Sequence, residues 1–271
     1  MTQTTVTVTP ARVPVGEGTL TVGGDVHYLP GPVWIEVDPS SRADRIALSA
    51  DMTDQWLKYL APLAASSTRV EGVISAQLNE ALVVIDDPAQ SYVDGRLGIQ
   101  QLRFNTGPVA DNIIRSVNQL RQLANPTPQA PRAPGSTTLV SLVPQTVDFT
   151  LAGGVVSHQR LQLEIDRAQV ITSGRVALDG RLDLTAQVPL DTRWLGRDLQ
   201  SLANETIKLP VTGTLSRPNV DSGAITDIAA RLAGRMVQGE AESYLRKQLG
   251  KGQQKVEEQL YRSLNKLIPN F

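Results

Sequence analysis

Cysteine is absent from the 271 residues, which excludes disulfide scaffolds, thiol chemistry and thiolate metal sites. Aromatics are scarce. The 3 Trp, 5 Tyr and 3 Phe make up 4% of the chain, so the interior must be aliphatic. No charge of one sign dominates, with 26 basic against 27 acidic side chains. A general nucleic-acid binder, which neutralises phosphates with a basic surplus, is therefore not expected. No run of about 18 apolar residues is present, so no segment reads as a membrane-spanning helix. Residues 1–20 lack the basic start and apolar core of a signal peptide. The chain is thus expected to be either cytosolic or a piece of something longer. At 41% hydrophobic it is too apolar for disorder throughout. Its length allows one large domain or two small ones.

Most of the chain alternates with a period of two. Thr5-Val6-Thr7-Val8-Thr9 does so strictly, and so do Leu97 with Ile99, Val147-Phe149-Leu151, Leu161-Leu163-Ile165 and Leu182-Leu184-Ala186-Val188. Such alternation marks half-buried strands. Roughly ten to fourteen short strands, mostly antiparallel, are expected. Around Asp179-Gly180, a two-residue turn would pair Val176 with Asp183. A three-residue loop, Leu178-Asp179-Gly180, pairs Val176 with Leu182 and keeps one apolar face. Gly180 then takes the left-handed position that glycine enters cheaply. Apolar positions are odd at Leu97 and Ile99 and even at Leu102 and Phe104, so a bulge at Gln100-Gln101 is expected to restore the face. Four cassettes led by Gly18, Gly95, Gly174 and Gly180 repeat unevenly, the pattern of a sheet grown by similar hairpins rather than a strict solenoid.

Three helices are expected. Residues 54–60 carry Trp56, Leu57 and Leu60, and Pro62 ends them. Residues 109–124 carry Ile113, Ile114, Val117, Leu120 and Leu123 at helical spacing. Residues 223–268 form a long tail with a narrow apolar stripe and a break near Gly250-Lys251-Gly252. Residues 227–271 carry a net charge of +3 and the remainder −4. A mildly basic amphipathic helix can lie on an anionic membrane or dock on protein, or else pack on its own sheet. The four prolines of 125–135 read as a connector or an excursion from the sheet. The expected division is a β-rich segment over 1–124, the Pro-rich stretch over 125–135, a second β region over 136–221 and a helical tail over 222–271.

Catalytic chemistry is thin. His27 and His158 lie in different strand regions, and neither belongs to a metal-ligating helix motif. No nucleophile elbow is present. The P-loop-like spacing from Gly234 to Gly239 is followed by Glu240 and Ala241 in place of Lys and Ser/Thr. Asp86-Asp87 and Glu257-Glu258 are adjacent pairs and do not share a face. Asn204-Glu205-Thr206 matches a glycosylation sequon, a pattern common by chance. Neither an enzyme nor a cofactor is expected.

What remains is a long sheet with an aliphatic face and few helices to cover it. An uncovered apolar face of that size implies a partner or an apolar ligand. The expected fold is mostly β with helices: a curved, mainly antiparallel sheet forming an open hydrophobic groove, taco-like in section, with a long C-terminal amphipathic helix. Its lining would include Leu97, Ile99, Leu102, Phe104, Leu161, Leu163, Ile165, Val176, Leu182 and Leu184. The competing reading is a face closed on itself as a sandwich or barrel.

The run from Ile207 through Leu209-Pro210-Val211 and Gly213-Thr214-Leu215 to Pro218 resembles the closing signature of AsmA-like C-terminal regions. Upstream, the Gly174-led strand and Leu182-Asp183-Leu184 are similar to that family's strand pair. The likeness covers residues 147–221. It implies a periplasmic groove related to TamB and the bridge-like lipid-transfer proteins. Such proteins are tethered to the inner membrane, here through a segment absent from this chain, and serve phospholipid traffic and outer-membrane biogenesis. The implied ligand is a phospholipid or other acyl chain. The implied partners are a membrane surface or an envelope protein met through residues 223–268, with no nucleic acid. The alternative function is a structural or assembly module docking through its C-terminal helix.

Overall fold

Runs of Val and Thr favour the pleated backbone, since branching at Cβ suits a half-buried strand more than a helix. The structure, a computed structural model, describes residues 4–67, 69–124, 139–165, 168–189, 206–221, 223, 226 and 227. The chain divides into Met1–Ala224 and Ile225–Phe271, and only the first unit is described in any detail. The tail expected over 223–268 and the Pro-rich stretch 125–135 lie, apart from 223, 226 and 227, outside the described residues.

Among the described residues, thirteen strands form one sheet. They are β1 Thr4–Val15, β2 Gly18–Leu29, β3 Trp34–Val37, β4 Arg42–Ala47, β5 Val70–Val84, β6 Tyr92–Asn105, β7 Leu139–Leu142, β8 Gln145–Ala152, β9 Val155–Ile165, β10 Ala168–Ala177, β11 Arg181–Pro189, β12 Thr206–Thr214 and β13 Pro218–Val220. All the pairings are antiparallel, and the order follows the chain. Strands β3 and β4 share one position between β2 and β5, while β7 and β8 share one between β6 and β9. Because β6 pairs with both β7 and β8, the strands on either side of 125–135 belong to the same sheet.

Each of these breaks is mended by a side chain. Between β3 and β4, Ser41 Oγ accepts from the Gly23 N–H at 3.1 Å and donates to the Gly23 carbonyl at 3.3 Å. Between β7 and β8, where Pro144 offers no N–H, Gln145 substitutes for backbone. Its amide donates to the Gln162 carbonyl at 2.6 Å and accepts from the Gln162 N–H at 2.8 Å. Buried ladder groups are thus satisfied without a continuous strand.

Register assembles one apolar face across every position. Val13 opposes Leu20, Val26 opposes Ile35, Ala76 opposes Leu97 and Leu97 opposes Val147. Farther along, Leu142 opposes Leu163, Leu163 opposes Val170, and Leu184 opposes Val211. Bulges preserve this face where the sequence changes parity. Val73 pairs with Gln101 and Ile74 with Ile99, which leaves Gln100 as the extra residue, as its odd-to-even switch predicts. Similar irregularities follow Ala43 in β4 and interrupt β9 near Arg160. Arg45 and Arg160 there adopt φ of 55° and 56°, and serines of the next strand, Ser75 and Ser173, accept their N–H groups. Absorbing parity breaks in this way lets β5 reach 15 residues and β6 14, longer than the short strands the punctuation predicts.

The loop at 178–180 takes the three-residue form. Val176 pairs with Leu182 and Gly174 with Leu184. Gly180 sits at φ 89° and donates its N–H to the Ala177 carbonyl at 2.8 Å. The Asp179 carboxylate accepts from the Arg181 backbone N–H and its guanidinium, and those bonds hold its carboxyl below the usual range.

Among the described residues, two helical segments pack on the apolar face. The first runs through α1 Ala50–Met52, a π-turn Thr53–Leu57, α2 Lys58–Leu60 and a 3-10 turn Pro62–Ala64. It begins earlier than the expected residue 54 because Ser49 Oγ caps the Met52 N–H. Pro62 ends it as expected, and Leu57, Leu60 and Leu63 are buried. The second, α3 Pro108–Ala124, buries Val109, Ala110 and Ile113; the side chains of Val117, Leu120 and Leu123 lie outside the described residues. Asn112 Nδ2 donates to the Pro218 carbonyl at 3.2 Å. Laid flat, β13 would stand six positions, roughly 29 Å, from β6, the strand that leads into α3. The sheet therefore curls around the helices.

Candidate functional site

All ten residues expected to line a groove share the apolar face, and all are buried. Between β5 and β12 the face is packed rather than open. Leu102, Phe104 and Val176 have no exposure, and Ile99, Leu161, Leu163, Ile165, Leu182 and Leu184 have 6% or less. The helical segments account for much of this cover. Tyr59 Oη bridges to the Leu178 carbonyl at 3.1 Å and pins the first of them to the β10–β11 hairpin. Of the ten, only Leu97 lines an apolar hollow against the first helical segment.

That hollow has a volume of about 340 Å³. Its helical wall is Gln55, Trp56, Tyr59 and Leu60; its sheet wall is Ala76, Val93, Leu97, Phe149, Leu151 and Val156, with Leu178 at the end. The polar side-chain groups in this lining are the Gln55 amide, the Trp56 indole N–H and the Tyr59 hydroxyl, which is bonded to the Leu178 carbonyl. The register explains the sheet wall, since Val93 opposes Leu151 and Leu151 opposes Val156. The π-turn explains the other, for it buries Thr53 and Leu57 and leaves Trp56 half-buried beside them. A π-turn is uncommon and recurs at functional sites. Sequence reasoning found the helix with Trp56 and Leu60 but not that it forms one wall of a hollow, which depends on a contact across more than a hundred residues.

A larger hollow of about 770 Å³ lies on the other side of the same helical turn. Asp54, Lys58, Ser66, Ser67, Asp179, Thr214 and Ser216 give it polar walls. Asp179 is paired with Arg181 at 2.7 Å. The Lys58 ammonium lies 5.2 Å from the centre of the Tyr59 ring.

Toward the other end of the sheet the apolar face loses its cover. Val6, Val8, Val13, Val15 and Val22 are each 40–49% exposed. Strand β1 pairs only with β2 among the described residues. Pro10, Arg12 and Pro14 in its second half discourage edge pairing.

The two histidines have different surroundings. His27 stacks on Trp34 with ring centres 3.6 Å apart, on the polar face, and its Nδ1 meets Thr5 Oγ1 at 3.1 Å. His158 lies on the apolar face with 2% exposure; its Nε2 meets Thr172 Oγ1 at 3.3 Å and its Nδ1 has no partner. Burial alone pushes its pKa down to about 4. Asp87 caps the 3-10 turn Pro88–Gln90 through the Ala89 N–H. Among the described residues, no three His, Asp or Glu side chains are grouped to hold a metal ion, and no helix is long and apolar enough to cross a membrane.

No family model matches this chain, and neither a curated protein nor a solved structure does. Geometry and sequence pattern therefore carry the functional argument.

Proposed function

We propose that this is a non-enzymatic lipid-binding protein of a cell envelope that holds an acyl chain against the oily face of its sheet. The observation that carries the reading is the apolar hollow between Trp56–Tyr59 and the β5–β9 wall. A hollow of about 340 Å³ falls at the lower end of ligand-pocket sizes. It binds by apolar area and needs no reactive group. The same face emerges uncovered at β1 and β2. The AsmA-like pattern over 147–221 adds the biological setting: lipid transport and outer-membrane biogenesis in the periplasm.

The test is native mass spectrometry of the purified chain, with extraction of bound lipid. Wild type is expected to carry acyl lipid. Leu163→Asp or Leu184→Asp would strike the packed core and unfold the sheet, so the informative variant is Ala76→Trp, which fills the hollow from a half-buried position. Loss of lipid with retained circular dichroism supports the reading. A lipid-free wild type that also takes up no added acyl chain removes it.

A further inference from the structure

We infer that the apolar hollow takes one acyl chain of about a dozen carbons, belonging to a single-chain lipid anion whose head pairs with Lys58; this rests on the acyl-chain reading above. Capacity comes first. A cavity of roughly 150 Å³ accommodates the six carbons of benzene. Scaled to the 340 Å³ here, that gives about thirteen carbons, enough for one tail and too little for two. Two further hollows among the described residues carry charged or amide side chains in their walls. One is walled by Asp54, Lys58 and hydroxyls, the other by Glu71, Gln100, Gln101 and Arg103 around the β6 bulge.

Polarity places the head. Lys58 lines the polar hollow, while its neighbour Tyr59 lines the apolar one, and the ammonium sits against that ring. The cation thus stands at the boundary between oily and wet walls. It forms no ion pair among the described residues. Asp54, one turn earlier, does not reach it. Asp179 is already occupied by Arg181. A carboxylate or phosphate monoester on a chain buried beside Tyr59 would supply the missing partner, and a neutral head would not.

The experiment is isothermal titration of the full chain with fatty acids of increasing length, below their micelle concentrations, alongside the matching alcohols. Affinity is expected to rise about four-fold per carbon, level off near twelve to fourteen carbons, and saturate at one chain per protein. Dodecanoate is expected to bind roughly five-fold tighter than dodecanol. Dodecyl phosphate, run beside dodecanoate, shows which anionic head is preferred; either exceeding the alcohol supports the inference. Lys58→Gln, at a half-buried surface position, is expected to erase that preference and keep the dependence on length. Ala76→Trp is expected to move the ceiling to shorter chains. Two chains per protein, affinity still climbing past sixteen carbons, or equal binding of acid and alcohol to wild type would overturn the inference while leaving the acyl-chain reading intact. Failure of every acid and every alcohol to bind would remove both.

Discussion

Acid should loosen this sheet through His158. The imidazole is buried on the apolar face between Phe149 of β8 and Gly174 of β10, and its pKa falls from 6.5 to about 4 because burial disfavours the charged ring. In the unfolded chain the ring charges below its ordinary value. The depressed folded pKa therefore leaves stability intact at pH 7 and removes it as pH falls from 6.5 toward 4. A drop of about 2.5 units at about 1.4 kcal/mol per unit corresponds to roughly 3 kcal/mol lost by pH 4. In a domain of this size that lowers Tm by roughly 6–12 °C. The comparison variant is His158→Leu. It leaves Thr172 Oγ1 without its partner, a cost of about 1–3 kcal/mol that does not change with pH. Urea unfolding of both proteins at pH 7, 6, 5 and 4 isolates the effect, since the other titrating groups cancel in the difference. The wild-type curve should approach or cross that of the variant as pH falls. Parallel curves would show that His158 does not stay neutral inside the fold, and the argument from burial would fail.

Other perturbations test the sheet's construction. Gly174→Ala should cost about 1–3 kcal/mol, because φ is +143° and a Cβ would collide with the Asp183 carbonyl; chemical denaturation measures it. Gln145→Leu removes both hydrogen bonds that replace the ladder beside Pro144 and leaves the Gln162 backbone unpaired, so about 1–3 kcal/mol should be lost, with faster amide exchange at Gln162. Deleting Gln100 should only remove the bulge's extra residue and leave Ile99, Leu102 and Phe104 in plain alternation, so the protein should still fold, whereas deleting Gln100 and Gln101 together should turn Leu102 and Phe104 to the polar face and abolish folding by circular dichroism. Arg175→Ala breaks only the exposed pair with Asp183 and should change stability by less than about 1 kcal/mol.

Much of the local structure was legible because strand residues interact with period two. Strict alternation located the strands. The clash of Val176 with Asp183 in the tighter turn selected the correct hairpin register, and the parity switch at Gln100 located a bulge. Both arguments need only one rule, that a strand keeps its apolar residues on one side. Strand lengths were less legible, because bulges at Arg45, Gln100 and Arg160 carry strands through points that look like ends. The replacement of backbone by Ser41 and Gln145 gave no signal, since nothing in a lone polar residue reveals which carbonyl it will meet.

The candidate site was only half legible. All ten residues chosen for the groove do share a face, yet nine of them form packed interior and Leu97 alone borders the hollow. Composition and alternation by themselves determined that one side of the sheet is oily from β1 to β13, for that is a property of neighbouring residues and their period. Only the tertiary structure decided which part of that side stays free. That depends on where the curl of the sheet brings Tyr59 to Leu178 and Asn112 to Pro218, contacts between residues separated by more than a hundred positions, whose geometry no local pattern encodes.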